Sequence, residues 1–384
     1  MKQNFEQDLE PNPERGFEDI AGMIKPFCLA LSGFLASCAT THQAPPPLKV
    51  EKTQEPVKPK AALVLPTESQ LPSLDPLNDS LDADRHKDNP AVQKWIAYYT
   101  NSGKEHFKEI LKRGALYKKQ IQSILQRFNL PTNLYYLALI ESDFKVDARS
   151  PAQAAGIWQF MSPTAKNYGL RINQYIDERR DPWRSTVAAA LYLRNLKNVF
   201  DSWYLAMSAY NAGEARIMNA IIRSGTRDFW QLSEIGFIPR ETRAYVPRFL
   251  AALIVGEHPE RYGIDVTLPE HPNVVSIPIP SPVRLTHIAE KTGLSVEELR
   301  AYNPHILKSY TPPKTKTYRI WLPQGRNNYE ALASLETIPN SQLQHAHASS
   351  RHHSKKLAQR KRKHQLAKSS LAEEESRNTW KKPR

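Results

Sequence analysis

The chain has 384 residues, of which 40% are apolar, so it can bury one sizeable core and a smaller second one. Its formal net charge of +14 suggests nucleic-acid binding, but most of that charge lies at one end. From Ser341 onward, twelve Lys and Arg residues against three Glu supply +9 of the +14, so the rest of the chain is only mildly basic. This distribution removes the main support for a nucleic-acid partner. The two cysteines, Cys28 and Cys38, are confined to the N-terminal region and cannot build a disulfide framework or metal site elsewhere.

The N-terminal region changes character at Met23. Residues 1–22 are polar and contain several acids, whereas Lys25 then supplies a positive charge and Phe27–Leu35 an apolar run. The run ends in Leu-Ala-Ser-Cys, and the whole order resembles a bacterial lipoprotein signal, which implies that Cys38 is acylated and becomes the first mature residue. The alternatives are an ordinary signal peptide or a short buried helix. We predict that Met23 is the true start and that residues 1–22 come from an upstream start.

The segment after the cysteine predicts the location of the protein. Ala39 directly follows Cys38, which resembles the pattern of lipoproteins sent to the outer membrane, so we expect a cell-envelope protein facing the periplasm.

Residues 39–90 are rich in proline, with few aromatics and little periodicity, and therefore predict a disordered linker. Apart from the short N-terminal stretch, no apolar run approaches the length of a membrane span.

Glu141 is the first candidate for chemistry. The stretch Thr132–Ser142 follows Pro131 and consists mainly of good helix formers, so it predicts a helix. Glu141 shares one face of that helix with Leu134 and Leu137, and desolvation there should raise its pKa. The negative end of the helix dipole acts in the same direction. A carboxyl that stays protonated near neutral pH suits a general acid, whereas the alternative is a helix-end Glu that bends out to water.

Three separated segments carry a family resemblance. They are ESDFKVDARSPAQAAGIWQF at 141–160, AYNAG at 209–213 and ETRAYV at 241–246. Together they resemble the lytic murein transglycosylases with a goose-type lysozyme-like (SLT) catalytic domain, and their order is similar to that of the membrane-bound D-type enzymes. The resemblance covers about residues 90–260 and implies Glu141 as the catalytic acid/base. It also implies that the sugar site is lined by Ser150, Gln159, Tyr210 and Asn211.

Three of these lining residues have a structural alternative. Gln159 can donate to and accept from sugar hydroxyls or N-acetyl groups, or it can be a helix-surface amide. Tyr210 and Asn211 can place a phenol near the catalytic carboxyl and an amide on an N-acetyl group, or they can be a core aromatic and a helix stop. Tyr245 lies on the closing helix, and we expect it to face the same groove. Trp158 receives no role, and neither a cofactor nor a metal is expected.

The catalytic domain, residues 91–262, predicts a mainly helical, lysozyme-like fold. Asp143 and Asp147 are interpreted as loop and turn residues, and the charged turn Asp177–Pro182 as scaffolding. Gly114 should interrupt the second helix. Apolar spacing places helices at 91–99, 105–128, 132–142, 183–200, 203–210 and 241–255.

Residues 269–323 predict a small α+β unit in β-α-α-β order. Ser295 and Glu298 form a capping box for its second helix, and Tyr318, Ile320 and Leu322 alternate as a strand. The pattern resembles a LysM peptidoglycan-binding module, although Pro282-Val283-Arg284 replaces the family's Gly-Asp-Thr. Whether this unit binds glycan is left open by the sequence.

Residues 324–384 predict a disordered basic tail. Its charge allows two interpretations, an inert solvated tail or electrostatic docking on anionic wall polymer or lipid headgroups. The partners expected for the whole chain are therefore peptidoglycan strands and a membrane reached through the lipid anchor.

The reaction expected from the resemblance is cleavage of the bond between N-acetylmuramic acid and N-acetylglucosamine. Hydrolytic glycosidases usually use two carboxyls, and no second acid shares the helix face of Glu141. We therefore expect the muramic acid C6 hydroxyl to attack C1 and form a 1,6-anhydro ring. A water-using muramidase and a non-catalytic wall-binding scaffold are the two alternatives.

Overall fold

The computed structural model describes residues 81, 83–270, 273–313, 315–325 and 329–339. The predicted lipidation site, most of the predicted linker and the basic residues after Ser341 lie outside these ranges. The described residues divide into two units. The first holds the residues up to Asn273 together with Asn303–Leu307, and the second holds Val274–Tyr302 and the residues from Lys308 onward.

The first unit is built from helices, as the sequence predicts, and most predicted ends lie within one or two residues of the observed ones. No helix among the described residues is both long enough and apolar enough to cross a membrane. The nine helices of the described part of this unit are α1 Pro90–Thr100, α2 Lys104–Arg127, α3 Tyr135–Ser142, α4 Ser162–Asn167, α5 Pro182–Phe200, α6 Trp203–Ala212, α7 Glu214–Ser224, α8 Phe229–Glu234 and α9 Arg240–Glu257.

Helix α3 lies at the centre of this unit, and each of its residues from Tyr135 to Ile140 is buried. A short 3-10 helix, Thr132–Leu134, precedes it, so the predicted helix over 132–142 is observed in two parts. Helix α9 packs against α1, α3 and α6, which brings the closing helix onto the end of α3. Because Leu134 and Leu137 are fully buried, the face that the sequence assigned to the core is the one that points inward.

Gly114 does not interrupt helix α2, which runs continuously from Lys104 to Arg127. A Cβ atom at this position would lie 2.3 Å from the Tyr135 hydroxyl and 2.5 Å from the Phe144 ring. The glycine is therefore explained by close packing of two aromatic rings rather than by a break in the helix.

The charged turn at Asp177–Pro182 is a buried scaffold, which agrees with its interpretation from the sequence. Arg179 is buried, donates to both carboxylate oxygens of Asp177 and donates to the Phe160 carbonyl at 3.0 Å. Asp181 accepts from the backbone N–H groups of Trp183 and Arg184 and so caps α5. These charge-assisted hydrogen bonds fix the loop that ends at Phe160.

The predicted linker ends earlier than residue 90. Asp84–His86 forms a 3-10 helix, and the His86 ring lies 4.9 Å from the Trp230 ring and 5.3 Å from the Tyr204 ring. Aromatic contacts thus order this short polar segment, although its composition is that of a linker.

The second unit has the predicted β-α-α-β order. Strand β1, Val274–Pro280, pairs antiparallel with β2, Thr317–Pro323, with Ile277 opposite Ile320. Between them lie α10, Leu285–Thr292, and α11, Val296–Tyr302. The capping box is present, since Ser295 Oγ accepts from Glu298 N at 3.1 Å and the Glu298 carboxylate accepts from Ser295 N at 2.8 Å.

The boundary of this unit at Pro323 needs correction. A further helix, α12 at Tyr329–Ala333, lies in the stretch that the sequence assigns to the tail. Leu332, Leu335 and Ile338 are buried, and Ile338 N donates to the Pro282 carbonyl at 2.7 Å. Three apolar residues spaced by three positions are too short a pattern to recognise in a polar context, but burial of their side chains orders the segment.

Candidate active site

Glu141 lies in the last turn of α3, where Asp143 ends the helix in the left-handed conformation with φ 54°. The Glu141 side chain is partly buried, and desolvation raises its pKa to about 7. Two neighbours act in the opposite direction, because a hydrogen bond from Tyr245 and the positive charge of Arg248 both lower this pKa. The negative charge of Glu241 raises it further. The carboxyl can therefore both give and take a proton near neutral pH.

Tyr245 is the direct partner of Glu141. It lies on α9 and is buried, and its phenol donates to Glu141 Oε1 at 2.5 Å. Burial and the nearby Glu141 raise the pKa of this phenol well above its usual range, so it remains a donor at any physiological pH. This contact fixes the orientation of the carboxyl.

Tyr210 joins the site from α6. Its phenol donates to the Trp158 carbonyl at 2.7 Å, and burial followed by the charge of Glu141 raises its pKa. Ser142, next to Glu141, donates to the Ile157 carbonyl at 2.9 Å. The loop that carries Gln159 is therefore tied to both α3 and α6. Trp158 itself is a core residue, fully buried, with its indole N–H on Thr186 at 2.9 Å.

Asn211 is held by the first turn of α9. Its Oδ1 accepts from Thr242 Oγ1 at 2.9 Å, and its amide N–H group donates to the Glu241 carboxylate. These two contacts fix which end of the amide is the donor. The helix continues through Asn211 and ends at Ala212, and the φ of 90° at the following Gly213 suits a glycine.

Gln159 and Ser150 both make hydrogen bonds within the loop between α3 and α4. Gln159 Nε2 donates to the Gly156 carbonyl at 2.8 Å, whereas the described residues provide no partner for its side-chain oxygen. Ser150 Oγ accepts from Ala154 N at 3.1 Å, and the hydrogen bonds of Ser150 within the described chain all stay in its own loop. In the same loop the backbone of Gly156 lies close to that of Arg179, whose carbonyl oxygen would lie 1.8 Å from an added Cβ. The structure thus brings Glu141, Tyr210 and Tyr245 together, but among the described residues Ser150 makes no hydrogen bond to any of them.

Two residues of the site were missed from the sequence, Glu241 and Arg248. Glu241 lies close enough to Glu141 to raise its pKa, so a second acid is present, although it comes from α9 rather than from the face of α3. Arg248 Nε donates to the Tyr99 hydroxyl at 3.4 Å, and its guanidinium lies 5.5 Å from the Trp95 ring. The sequence contained a signal for both residues. Glu241 lies four positions before Tyr245 and Arg248 three positions after it, so all three share one face of the helix.

The described residues contain no group of three or more His, Cys, Asp or Glu side chains that could hold a metal ion. The site they form consists of carboxyls, phenols, amides and one guanidinium.

Two family models match this chain. Residues 120–233 match the Transglycosylase SLT domain, and residues 273–344 match the LysM-like domain of lytic transglycosylase MltD. The first match contains Glu141, Ser150, Gln159, Tyr210 and Asn211, whereas Tyr245 lies beyond it.

Three relatives show the same similarity. Membrane-bound lytic murein transglycosylase D of Escherichia coli strain K12 is 36% identical over 206 residues, which are 52% of this chain and 45% of the relative. A putative tributyltin chloride resistance protein of Alteromonas sp. strain M-1 is 38% identical over 28% of this chain and 53% of its own length. Peptidoglycan transglycosylase gp16 of Escherichia phage T7 is 38% identical over 26% of this chain and 8% of its length.

The match thus spans about half the length of the first two relatives. The resemblance drawn from the three sequence motifs is confirmed: residues 120–233 are similar to a transglycosylase SLT domain, and residues 273–344 to the LysM-like domain of lytic transglycosylase D.

Proposed function

We propose that this protein is a peptidoglycan lytic transglycosylase. It cleaves the β-1,4 bond between N-acetylmuramic acid and N-acetylglucosamine and leaves 1,6-anhydromuramic acid ends. The observation that carries the proposal is the carboxyl of Glu141, with its pKa raised to about 7 and its orientation held by the Tyr245 phenol. The names of the relatives from E. coli and phage T7 support the same reaction and substrate.

The reaction proceeds in two proton transfers at Glu141. The protonated carboxyl first donates to the glycosidic oxygen, and the bond from that oxygen to C1 of muramic acid breaks. The resulting carboxylate then takes the proton of the C6 hydroxyl, whose oxygen forms a bond to C1 and closes the anhydro ring. Glu141 ends the cycle protonated, and no water is consumed. One carboxyl suffices because the substrate supplies the nucleophile.

The neighbouring groups have separate tasks. Arg248 and the Tyr245 phenol stabilise the carboxylate form that must exist between the two transfers. Asn211, with its orientation fixed by Glu241 and Thr242, presents an amide to the N-acetyl group of the sugar. The side-chain oxygen of Gln159, which has no partner among the described residues, accepts from a sugar hydroxyl or N-acetyl N–H.

The products released from purified sacculi test the proposal. Glu141→Gln keeps the shape of the side chain but removes the transferable proton, so turnover should fall by at least about a thousandfold while glycan binding persists. Glu105→Gln, an exposed residue on α2, is the matched control and should retain full activity. Wild-type products should be lighter by one water than those of a lysozyme.

The same mass measurement separates the alternatives. Reducing muramic acid ends as the main product would mean hydrolysis, with Glu241 as the first candidate for the second carboxyl. The engagement of Glu241 with Asn211 favours an orienting role instead. Binding to sacculi without any release of fragments would mean a scaffold.

We further propose that the protein works at the cell envelope, tethered through a lipid on Cys38. The name of the E. coli relative, which includes membrane-bound, supports this location. The LysM-like unit and the basic tail would add contacts to glycan and to anionic wall or lipid surfaces.

A further inference from the structure

A cavity lies along helix α7, and its lining starts at the residue after Asn211. It has a volume of about 610 Å³ and begins at Ala212 and Gly213. One wall is the face of α7 that carries Arg216, Asn219 and Arg223, and the other is Phe237. Because these α7 residues lie at i, i+3 and i+7, they point in one direction along two turns of the helix.

The charge of this cavity is not neutralised by the protein. Arg216 and Arg223 are both exposed, and within the described chain neither makes an ion pair or a hydrogen bond. The guanidinium of Arg223 lies 5.5 Å from the ring of Phe237, which is itself exposed. Glu214 is the acid among the lining residues, and within the described chain no ion pair joins it to either arginine. The cavity therefore offers two guanidinium groups that lack a carboxylate partner within the described chain, one of them against an apolar ring.

A ligand for this cavity needs carboxylates for the arginines and small apolar groups for Phe237 and the alanines of the wall. The peptide stems of peptidoglycan have this chemistry, since they are short acidic peptides that also contain alanine. They branch from muramic acid, which is the sugar whose bond is cut. A stem on a sugar seated at Asn211 would reach a cavity that starts at the next residue.

We propose that the Arg216–Arg223 cavity binds an acidic peptide stem of the glycan strand, so that the enzyme prefers peptide-bearing over naked glycan. This inference rests on the proposed function and adds a substrate preference to it. The contacts between the arginines and the stem are electrostatic and exposed to solvent, so binding of the stem should weaken as the salt concentration rises.

The test compares two substrates of the full-length protein. One is purified peptidoglycan, and the other is the same material after an amidase has removed the peptide stems. The double variant Arg216→Glu/Arg223→Glu should lose about tenfold in kcat/KM on the peptide-bearing strands, from two contacts of moderate strength and the added repulsion. On the stripped strands it should stay within about twofold of the wild type. The variant Arg216→Lys/Arg223→Lys keeps the charge and should retain most of the preference.

The control is Arg127→Glu, which reverses the charge of one exposed arginine at the end of α2 and so makes half the charge change of the double variant. Equal losses of the double variant on both substrates, or no loss on the peptide-bearing one, would overturn the inference. An effect of the same size for Arg127→Glu would do so as well. Failure of the proposed function looks different, because the wild type would then release no anhydro products from either substrate.

Discussion

At the scale of single residues, the pKa of Glu141 is set by opposing influences. Desolvation raises it to about 7, while the Tyr245 hydrogen bond and the charge of Arg248 lower it. A carboxyl that was only buried would remain protonated and could not act as the base in the second transfer. A carboxyl that was only paired with cations would not act as the acid. Because these effects balance, the carboxyl of Glu141 can act as the acid in the first proton transfer and as the base in the second.

The Tyr245 hydrogen bond can be tested through the pH profile. Tyr245→Phe removes a donor to the carboxylate form, so the pKa of Glu141 should rise above about 7. The alkaline limb of kcat/KM against pH, where the acid form is lost, should move upward by roughly one pH unit. Tyr262→Phe, in the 3-10 helix Pro259–Tyr262, is the control and should leave the limb in place. A limb that moves downward or does not move would contradict this assignment.

Glu141 should also destabilise the folded protein at alkaline pH. Its pKa is raised from its usual 4.5 to about 7, so between these values the folded state holds a proton that the unfolded state has released. The free energy of unfolding therefore falls as pH rises through this window, and the full cost is present above it. Glu141→Gln removes the cost and should stabilise the protein by about 2 kcal/mol at about pH 8, a value reduced from the full shift because the residue keeps some exposure.

Denaturant unfolding at two pH values measures this effect. The difference between Glu141→Gln and wild type should shrink toward zero at about pH 4, where the glutamate is protonated in both states. Glu105→Gln makes the same change at an exposed position in the first turn of α2 and is the control. An equal difference at both pH values would indicate a packing effect instead.

At the scale of elements, helix α9 assembles the site. Glu241, Tyr245 and Arg248 lie one turn apart on it, and each acts on the pKa of Glu141. Helix α9 packs against α1, from which Tyr99 and Trp95 hold the guanidinium of Arg248. Helix α1 lies outside the residues that match the SLT domain, yet through Arg248 it contributes to the electrostatics of the site.

The short helix α12 leads to a prediction about the second unit. A chain that stops after Pro323 loses Leu332, Leu335 and Ile338, each buried and worth about 1.5–3 kcal/mol. We expect this truncation to lower the unfolding temperature of the second unit and to open strands β1 and β2 to proteolysis. A chain that stops after Pro339 keeps these contacts and is the matched control. If both truncated chains were equally stable, α12 would not be part of the folded unit.

At the scale of the whole molecule, the proposed envelope location depends on one residue. Cys38→Ala should move the protein from the membrane fraction to the soluble fraction, or leave it unprocessed, because a lipid chain supplies the apolar area that holds such a protein to a bilayer. Cys28→Ala changes the other cysteine of the same apolar stretch and should leave the membrane fraction unchanged. A Cys38→Ala protein that still sediments with outer membrane at high salt would refute the lipid anchor.

Local patterns in the sequence predicted several of the buried faces and element ends. Helical spacing placed Glu141 beside Leu134 and Leu137, the alternation of Tyr318, Ile320 and Leu322 predicted β2, and the capping box marked the start of α11. These features depend on neighbours within one or two turns, so periodicity and local hydrogen bonding are sufficient to find them.

The tertiary structure decided which elements meet. It placed Glu241 and Arg248 beside Glu141, kept Ser150 within its own loop, and packed two aromatic rings over Gly114. None of these contacts has a local signal, because a helical face that is known to be buried does not reveal which other helix covers it. Desolvation and charge pairing between distant segments then set the pKa of Glu141, since both depend on distances that the chain acquires only on folding.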